Sequence, residues 1–198
     1  FISPHQSLPQ LEHLIRSEIA AATAGKPSGI WLKCNALVDH ELIELLYEAS
    51  GAGVPIEIIA RGICCLRPGV LGLSETIKVR SIIGRFLEHG RIFVFANGGA
   101  LQSPKNIVMM SSADLMPRNL RRRVECFMTL ENPTVRKQVL HQILVAQLRD
   151  TKNTWHLQPD GSYVHLECKD ENFSCHDYFM SNPSLSGLGS RAATPLGQ

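Results

Sequence analysis

A strand, a helix and a second strand follow one another between residues 29 and 60, and this pattern constrains the fold more than any other part of the sequence. The two strands are predicted from the apolar, β-prone runs Gly29 to Asn35 and Val54 to Ala60. Between them, Asp39 is a suitable N-cap for an amphipathic helix from His40 to about Ser50. Two strands joined by a helix of this length are expected to be parallel. The pattern therefore predicts an α/β fold.

The remaining periodic segments add strands and helices to this unit. Further strands are predicted at residues 77–83, 91–96, 107–112, 124–130, 153–157 and 162–167. An amphipathic helix precedes the unit at residues 8–22, a short turn of helix leads to His89, and a long helix begins at Pro133. From about Ser181 the chain is rich in Ser, Gly and Pro, which predicts disorder. We therefore expect one α/β domain followed by a C-terminal tail.

The composition is that of an ordinary globular protein, with 44% hydrophobic and 19% charged residues. A net charge of +2 excludes a bulk polycation, so an anion site must come from local clustering of basic side chains. No apolar run approaches the roughly 20 residues that span a bilayer. The six cysteines include no C-x2-C pair, and reduced thiols are the simplest interpretation. We expect a cytoplasmic protein with no transmembrane segment and no nucleic-acid partner.

The stretch from Arg80 to Asp114 carries most of the candidate chemistry. It places an imidazole, His89, just before one strand and the small polar group Ser111 to Asp114 at the end of the next. The nearby arginines, whose guanidinium groups bind phosphate oxygens in pairs, are Arg80, Arg85, Arg91 and Arg118. Neutral imidazole is nucleophilic, and imidazolium can act as an acid. The stretch therefore predicts a phosphate site, while a structural histidine and a capped turn stay open as alternatives.

Further basic and polar side chains are predicted at the same edge of the sheet. Lys33 and Asn35 end one strand and Arg61 follows the next, and ligands of α/β sheets bind at the carboxyl ends of strands. Arg123 closes the densest basic cluster, Arg121 to Arg123, just before a predicted strand. Such a run is usually a solvated face, and alternation lets only some of its members point into one site.

Two resemblances follow from these motifs. The H-G-R run at His89 and the later S-S-A-D run are similar to a degenerate H-x-K…G-S-x-N motif of the phospholipase D superfamily, although Ala96 stands where that motif has an acidic residue. Longer runs within residues 1–165 resemble the C-terminal catalytic domain of bacterial polyphosphate kinase. These runs are K-C-N-A-L-V-D (33–39), L-Y-E-A-S-G-A-G-V (46–54), R-G-I-C-C-L-R-P-G (61–69), L-S-E-T-I-K-V-R-S-I-I-G-R-F-L-E-H-G-R-I (73–92), S-S-A-D-L-M-P-R-N-L (111–120) and R-R-V-E (122–125).

The resemblance to polyphosphate kinase implies a phospholipase D-like mixed sheet flanked by helices at residues 1–167. A weakly structured or flexible tail at residues 168–198 lies outside it. It also implies reversible transfer of the terminal phosphate of ATP to inorganic polyphosphate through a phosphohistidine, with Mg²⁺ as cofactor. In that family the phosphorylated histidine and the magnesium ligands belong to a preceding half, which this sequence lacks. We therefore expect half of an active site, inactive alone, whose partner is the N-terminal remainder of the enzyme, in a possible homo-oligomer.

The resemblance also assigns roles to individual residues. By motif match, His89 is catalytic, and Arg61 and His89 bind phosphates of ATP, ADP or polyphosphate. Arg123 falls where a further phosphate-binding arginine is expected, with Arg118 ranked below it. Lower-ranked site residues, none of them a metal ligand, are Lys33, Asn35, Arg91, Ser112, Asp114 and Asn119. Leu115 stands where the family usually has tryptophan, and we expect this change to alter packing beneath the site rather than its chemistry.

Two other functions are compatible with the residues. One is a polyphosphate- or nucleotide-binding module without chemistry of its own, which would retain the arginine surface but lack a nucleophile. The other is a phospholipase D-like phosphodiesterase in which a dimer brings two copies of His89 together. Turnover of ATP, or of a phosphodiester, distinguishes these functions from the kinase.

Overall fold

The computed structural model describes residues 1–165 and 172–182, and within them the chain forms an eight-stranded sheet. The strands are β1 Ile30–Cys34, β2 Ile56–Ala60, β3 Ile77–Ile82, β4 Arg91–Phe95, β5 Ile107–Ser111, β6 Phe127–Thr129, β7 Thr154–Leu157 and β8 Tyr163–His165. Their order across the sheet is β6-β5-β4-β1-β2-β3-β7-β8. The pairs β1–β2 and β2–β3 are parallel, and the other pairs are antiparallel. The predicted parallel pair and the predicted mixed α/β sheet are both confirmed.

Helices cover both faces of this sheet. They are α1 Ser7–Thr23, α2 His40–Gly51, α3 Pro117–Arg121, α4 Pro133–Lys137, a π-helical segment Gln138–Leu144, α5 Val145–Leu148 and α6 Cys175–Ser181. The three segments from Pro133 to Leu148 run on from one another, as the predicted long helix requires. No helix in the described ranges is long and apolar enough to cross a membrane.

Alternation along the strands divides the buried side chains into two cores. Ile30 and Leu32 of β1 face α1 and α2, whose apolar stripes include Leu11 and Leu46. The opposite face carries the second core, in which Val94 and other strand residues meet the long helical segment and α6. Because successive side chains of a strand point to opposite faces, Lys33 on β1 belongs to the second side.

Local capping signals fix the starts of two helices as the sequence predicts. The carboxylate of Asp39 accepts a hydrogen bond from the Leu42 amide at 3.1 Å and so caps α2. Asn132 caps α4 by accepting from the amides of Thr134 and Val135, and Pro133 occupies the first turn, where no amide is needed. Both predicted N-caps are confirmed.

Two predicted elements differ from the structure. Residues 83–90 form neither helix nor strand, although a turn of helix was predicted there. Gly84 and Gly90 bracket this segment, and a segment this short cannot stabilise a helix by itself. The predicted strand 124–130 is reduced to β6, because its first residue, Val124, is 83% exposed and pairs with no strand. Exposed β-prone residues are compatible with a loop as well as with a strand.

The tail predicted at residues 168–198 contains an ordered helix in its described part. Ser174 caps α6 by accepting from the Asp177 amide, and Cys175 and His176 are buried against the rest of the domain. The prediction of a weakly structured tail is therefore wrong for residues 172–182. Residues 166–171 and 183–198, on which the remainder of that prediction falls, lie outside the described residues.

Candidate phosphate-binding site

One edge of the sheet gathers most of the predicted site residues. The carboxyl ends of β1, β2, β3 and β5 and the start of β4 meet there, because β4 is antiparallel to both β1 and β5. Beyond β1, Leu37 forms isolated parallel bridges with Cys64 and with Leu115. These bridges bring the segments that follow β1, β2 and β5 side by side. The predicted clustering of Asn35 and Arg61 at one edge is thus confirmed.

Asp114 is the centre of this edge. Its Oδ1 accepts from the amides of Asn35 at 2.7 Å and Ala36 at 3.2 Å, and from Arg91 Nε at 3.1 Å. Its Oδ2 accepts from Arg91 Nη2 at 2.7 Å. Burial alone would raise the pKa of Asp114, but the hydrogen bonds from Arg91 and the two amides outweigh burial and lower this pKa. Asp114 therefore stays ionised and orients Arg91.

Arg91 extends from Asp114 to His89. Arg91 Nη1 lies 2.9 Å from His89 Nδ1 and also donates to the His89 carbonyl at 2.9 Å, while Nη2 lies 3.2 Å from Nε2. A guanidinium only donates, so the hydrogen bond to the ring uses the lone pair of an unprotonated nitrogen. His89 is exposed, whereas Arg91 is half-buried and fixed by a carboxylate. This arrangement holds an accessible imidazole next to a fixed cation.

Arg61 contacts the backbone next to His89. Its Nη1 donates to the carbonyl of Glu88, the residue before His89, at 3.0 Å. The other guanidinium nitrogens of Arg61 make no hydrogen bond within residues 1–165 and 172–182, so they are free to donate to a ligand. Next to Arg61 is a cleft of about 290 Å³, whose walls are Arg61, Gly62, Ser81, Ile83, Trp155 and Tyr163. Two arginines of different segments thus contact residues 88 and 89.

Two of the predicted cationic side chains are paired with carboxylates. Lys33 is 4% exposed, and its Nζ lies 3.0 Å from Glu88 Oε2 on the second side of the sheet. Arg80 is also buried, where it pairs with Glu57 and donates to the Leu148 carbonyl. Neither cation is presented at the open edge, because each neutralises a carboxylate. The expectation that Arg80 belongs to the phosphate site is therefore wrong, and Lys33 lies beneath the site.

The basic cluster after β5 is divided between two roles. Arg121 pairs with Asp39 at 3.2 Å and with Glu41 at 3.0 Å, so it ties α3 to the start of α2. The side chains of Arg118 and Arg123 are exposed and have no hydrogen bond or ion pair with any described residue. They are available to an anion, but no contact joins them to Arg61 or His89.

The remaining predicted polar residues converge on a carboxylate that the sequence analysis did not single out. Glu125 accepts from Asn119 Nδ2 at 2.7 Å and from Ser112 Oγ at 2.5 Å. Ser112 Oγ in turn accepts from the Cys126 amide at 3.1 Å. These bonds fasten the loop before β6 to α3, so Ser112 and Asn119 support the local backbone. Glu125 stands in the R-R-V-E run of the sequence, but no pattern pairs it with these partners.

The carboxylates at this edge do not fit a magnesium site. Both oxygens of Asp114 and both of Glu125 already accept hydrogen bonds, and the free groups around them are cationic. Mg²⁺ requires oxygen ligands in near-octahedral geometry. A separate group of potential ligand atoms, on Glu88, Cys175 and His176, lies within 4.8 Å of one another on the second side of the sheet. There Lys33 already supplies the charge that balances Glu88.

Leu115 connects the site to the core below it. It is 1% exposed, and it exchanges backbone hydrogen bonds with Ala36 and Val38 next to the bridge to Leu37. Its side chain belongs to the core under α1 and α2. A leucine at this position therefore acts through packing.

Three comparisons with known proteins give consistent matches. A family model described as polyphosphate kinase C-terminal domain 2 matches residues 1–176. A polyphosphate kinase of Erythrobacter litoralis is 53% identical over 95% of this chain and 26% of its own length, and one of Helicobacter pylori is 45% identical over 90% and 25%. The crystal structure of polyphosphate kinase from Porphyromonas gingivalis matches with a TM-score of 0.84 and 34% identity, over 92% of this chain and 28% of that one. The chain thus spans about a quarter of the length of these relatives.

Proposed function

Because the chain belongs to the family of polyphosphate kinase C-terminal domains, we propose that it forms one wall of the active site of a polyphosphate kinase. In this proposal the enzyme transfers the terminal phosphate of ATP reversibly to inorganic polyphosphate. The observation that supports it best is the convergence of Arg61, His89 and Arg91 on the open edge of the sheet. Phosphoryl transfer needs several fixed cationic donors around the non-bridging oxygens and a group that handles charge or protons.

Each of these residues has a defined part in the proposed reaction. The bond between the terminal phosphorus of ATP and its bridging oxygen breaks, ADP leaves, and a bond to a histidine nitrogen forms. A terminal oxygen of polyphosphate then attacks this phosphorus and releases the histidine. We assign the nucleophilic histidine to a further domain, because the sequence contains no second H-x-K-like element. His89 then contacts the transferred group as an acid–base partner or charge stabiliser, and Arg61 binds its oxygens.

The exposed arginines extend the proposed site along the surface. Arg118 and Arg123 carry charges that no described residue neutralises, and a polyphosphate chain has one negative charge on each internal phosphate. Arginine binds such oxygens through paired hydrogen bonds. We propose that these two side chains contact the polyphosphate or the nucleotide phosphates beyond the reacting one.

Magnesium enters the proposal only through the family. The carboxylates of the open edge are already hydrogen-bonded, so we place no magnesium ligand among them. In the whole enzyme the cation would neutralise charge on the nucleotide phosphates. In this chain, Arg61 supplies positive charge at the edge without a carboxylate partner among the described residues, while Arg91 is paired with Asp114 beside His89.

The test combines binding by this chain with turnover by the whole enzyme. Arg61→Ala and His89→Ala should each weaken the binding of polyphosphate to the isolated chain, whereas Arg16→Ala, an exposed arginine on α1, should not. In an intact polyphosphate kinase that carries this domain, His89→Ala should abolish polyphosphate synthesis, since removing such a contact costs about 2–4 kcal/mol or more of transition-state stabilisation. Near-normal synthesis by that variant would overturn the assignment.

The isolated chain also distinguishes the alternative functions. If the chain binds radiolabelled ATP without phosphorylating itself, it is either a half-site or a module that only binds polyanions. Loss of polyphosphate synthesis in the intact enzyme with His89→Ala then favours the half-site. Self-phosphorylation of the isolated chain contradicts the half-site proposal. Cleavage of a phosphodiester by the chain would favour the dimeric phosphodiesterase instead.

A further inference from the structure

Glu88, which directly precedes His89, is the centre of a buried polar group that we call the Glu88 cluster: Lys33, Glu88, Gln147 and His176. Glu88 Oε2 pairs with Lys33 Nζ at 3.0 Å and accepts from Gln147 Nε2. Glu88 Oε1 lies 3.3 Å from His176 Nε2. The carbonyl of Glu88 accepts from Arg61. One residue therefore contacts β1, α5, α6 and the phosphate-site arginine.

Three members of the cluster are deeply buried, and the side chain of Glu88, which all three contact, is 21% exposed. Lys33 is 4% exposed, His176 2% and Gln147 1%. Buried charges are tolerated only when they are paired, and removing one partner leaves the other uncompensated. His176 Nε2 forms no hydrogen bond with any described residue, but it lies within ion-pairing distance of Glu88. These contacts therefore hold Glu88 in place on the second side of the sheet.

Helix α6 also holds the middle of the segment that leads to His89. The Phe86 amide donates to His176 Nδ1 at 3.4 Å, and the Phe86 ring meets the imidazole edge at 5.1 Å between centroids. At Gly84, a Cβ atom would lie only 2.5 Å from His176 Nδ1, so this close approach requires glycine. His176 therefore contacts the segment at three successive points, 84, 86 and 88.

Without these contacts little else would hold the segment. Residues 84–89 form neither helix nor strand. Within the described ranges, these residues make few hydrogen bonds outside the cluster. Arg61 donates to the Glu88 carbonyl, and Arg91 contacts the carbonyl and the ring of His89. Leu87 is 83% exposed, and Phe86, whose ring packs on His176, is 40% exposed. A segment with so few internal contacts opens at low free energy unless it is tied from outside.

We propose that Glu88 is a positioning residue for His89, and that α6, through His176, holds it in place. Lys33 is the buried counter-charge that makes this position stable. In this proposal, a helix near residue 176 sets the position of an imidazole 87 residues earlier in the sequence, at His89. The part that concerns catalysis rests on the proposed function, while the part that concerns the position of His89 does not.

Hydrogen–deuterium exchange of this chain tests the positional part. In Glu88→Gln and in His176→Ala, amides of residues 84–90 should exchange about tenfold faster or more, while α1 and α2 are unaffected. Asp177→Asn is the matched control, because Asp177 lies on the same helix outside the cluster, its carboxylate pairs with exposed Lys152, and asparagine keeps an oxygen for the Ser174 hydroxyl. Unchanged exchange in the two cluster variants overturns the proposal. If the single variants do not fold, Lys33→Met combined with Glu88→Gln removes both charges together and should still show the faster exchange.

Kinetics of the intact polyphosphate kinase test the catalytic part. Glu88→Gln should lower kcat by about tenfold or more with little change in KM for ATP, because Arg61 and the other arginines still bind the nucleotide. A purely structural role would lower the amount of folded enzyme but leave kcat per folded molecule unchanged, and that result contradicts positioning. If the unaltered enzyme makes no polyphosphate, the proposed function fails, and the exchange experiment still decides whether Glu88 positions His89.

Discussion

Replacing Asp114 with asparagine should strongly destabilise the protein, because Asp114 is the carboxylate that balances a largely buried arginine. The side chains of Asp114 and Arg91 are 6% and 11% exposed, and they share two hydrogen bonds of 3.1 and 2.7 Å. Asparagine keeps an oxygen for the amides of Asn35 and Ala36. It has no charge for the guanidinium, and its own amide would face a group that only donates.

The magnitude follows from the burial of the pair. Breaking a buried ion pair by removing one partner costs about 3–5 kcal/mol, since the other charge stays buried without compensation. A domain of this size has a free energy of unfolding of roughly 5–15 kcal/mol, so the variant should remain folded with a clearly lower urea midpoint. Glu48→Gln is the control, because Glu48 and Arg16 form an Arg–carboxylate pair whose side chains are 53% and 61% exposed. It should cost about 1 kcal/mol or less.

The same carboxylate gives the stability a defined pH dependence. The folded-state pKa of Asp114 is lowered, so its contribution is complete above the pKa of the unfolded chain and disappears as pH falls through the folded-state pKa. The difference in unfolding free energy between the unaltered protein and Asp114→Asn should therefore be largest near neutral pH and shrink in acid. Urea unfolding followed by tryptophan fluorescence at several pH values measures this difference.

Two results would refute this reasoning about Asp114. One is a cost at neutral pH no larger than that of Glu48→Gln, which would mean that Arg91 is not held by a charge. The other is a difference that stays constant as the pH falls, which would mean that the asparagine acts through packing rather than through the lost ionisation. Either result would also remove the support that fixes Arg91 beside His89.

Leu115→Ala should lower the unfolding free energy by about 2–5 kcal/mol, because the side chain is buried in the core. Leu71→Ala, at an 87% exposed position, should change it little. Equal urea midpoints for the two variants would contradict a packing role for Leu115. Iodoacetamide at mildly alkaline pH should modify the exposed thiols of Cys65 and Cys126 first, and Cys34 only after unfolding, because burial raises the pKa of the Cys34 thiol. Peptide mass spectrometry over time checks this order, and early labelling of Cys34 would show that β1 is accessible.

Features that depend on neighbouring residues could be predicted from the sequence. Asp39 and Asn132 are recognisable as caps because a cap bonds amides two or three positions along the chain. The placement of Asn35 and Arg61 at one edge followed from a single rule, since the carboxyl ends of parallel neighbours coincide. In each case the partner is either adjacent in sequence or fixed by the topology of one strand–helix–strand unit.

Features that depend on distant partners could not be predicted. Lys33 has the charge of a phosphate ligand, but its partner Glu88 is 55 residues away in sequence, and only the fold brings the two together. Arg80 was misassigned for the same reason, because Glu57 stands on the neighbouring strand. Helix α6 was missed because a helix of seven residues has too little intrinsic stability to leave a strong pattern, and tertiary packing stabilises it. A sequence shows which side chains are charged, whereas the fold determines which of these charges are paired.

The bridges of Leu37 to Cys64 and to Leu115 have a consequence for folding. They join segments that lie 27 and 78 residues apart, so the backbone around the candidate site can form only after long loops have closed. Contacts of such high sequence separation slow folding, and they cannot form in a short fragment. The edge that presents His89 is therefore coupled to completion of the whole central sheet. A nascent or truncated chain that has made β1 and β2 but not β5 would hold Arg61 without the rest of its phosphate site.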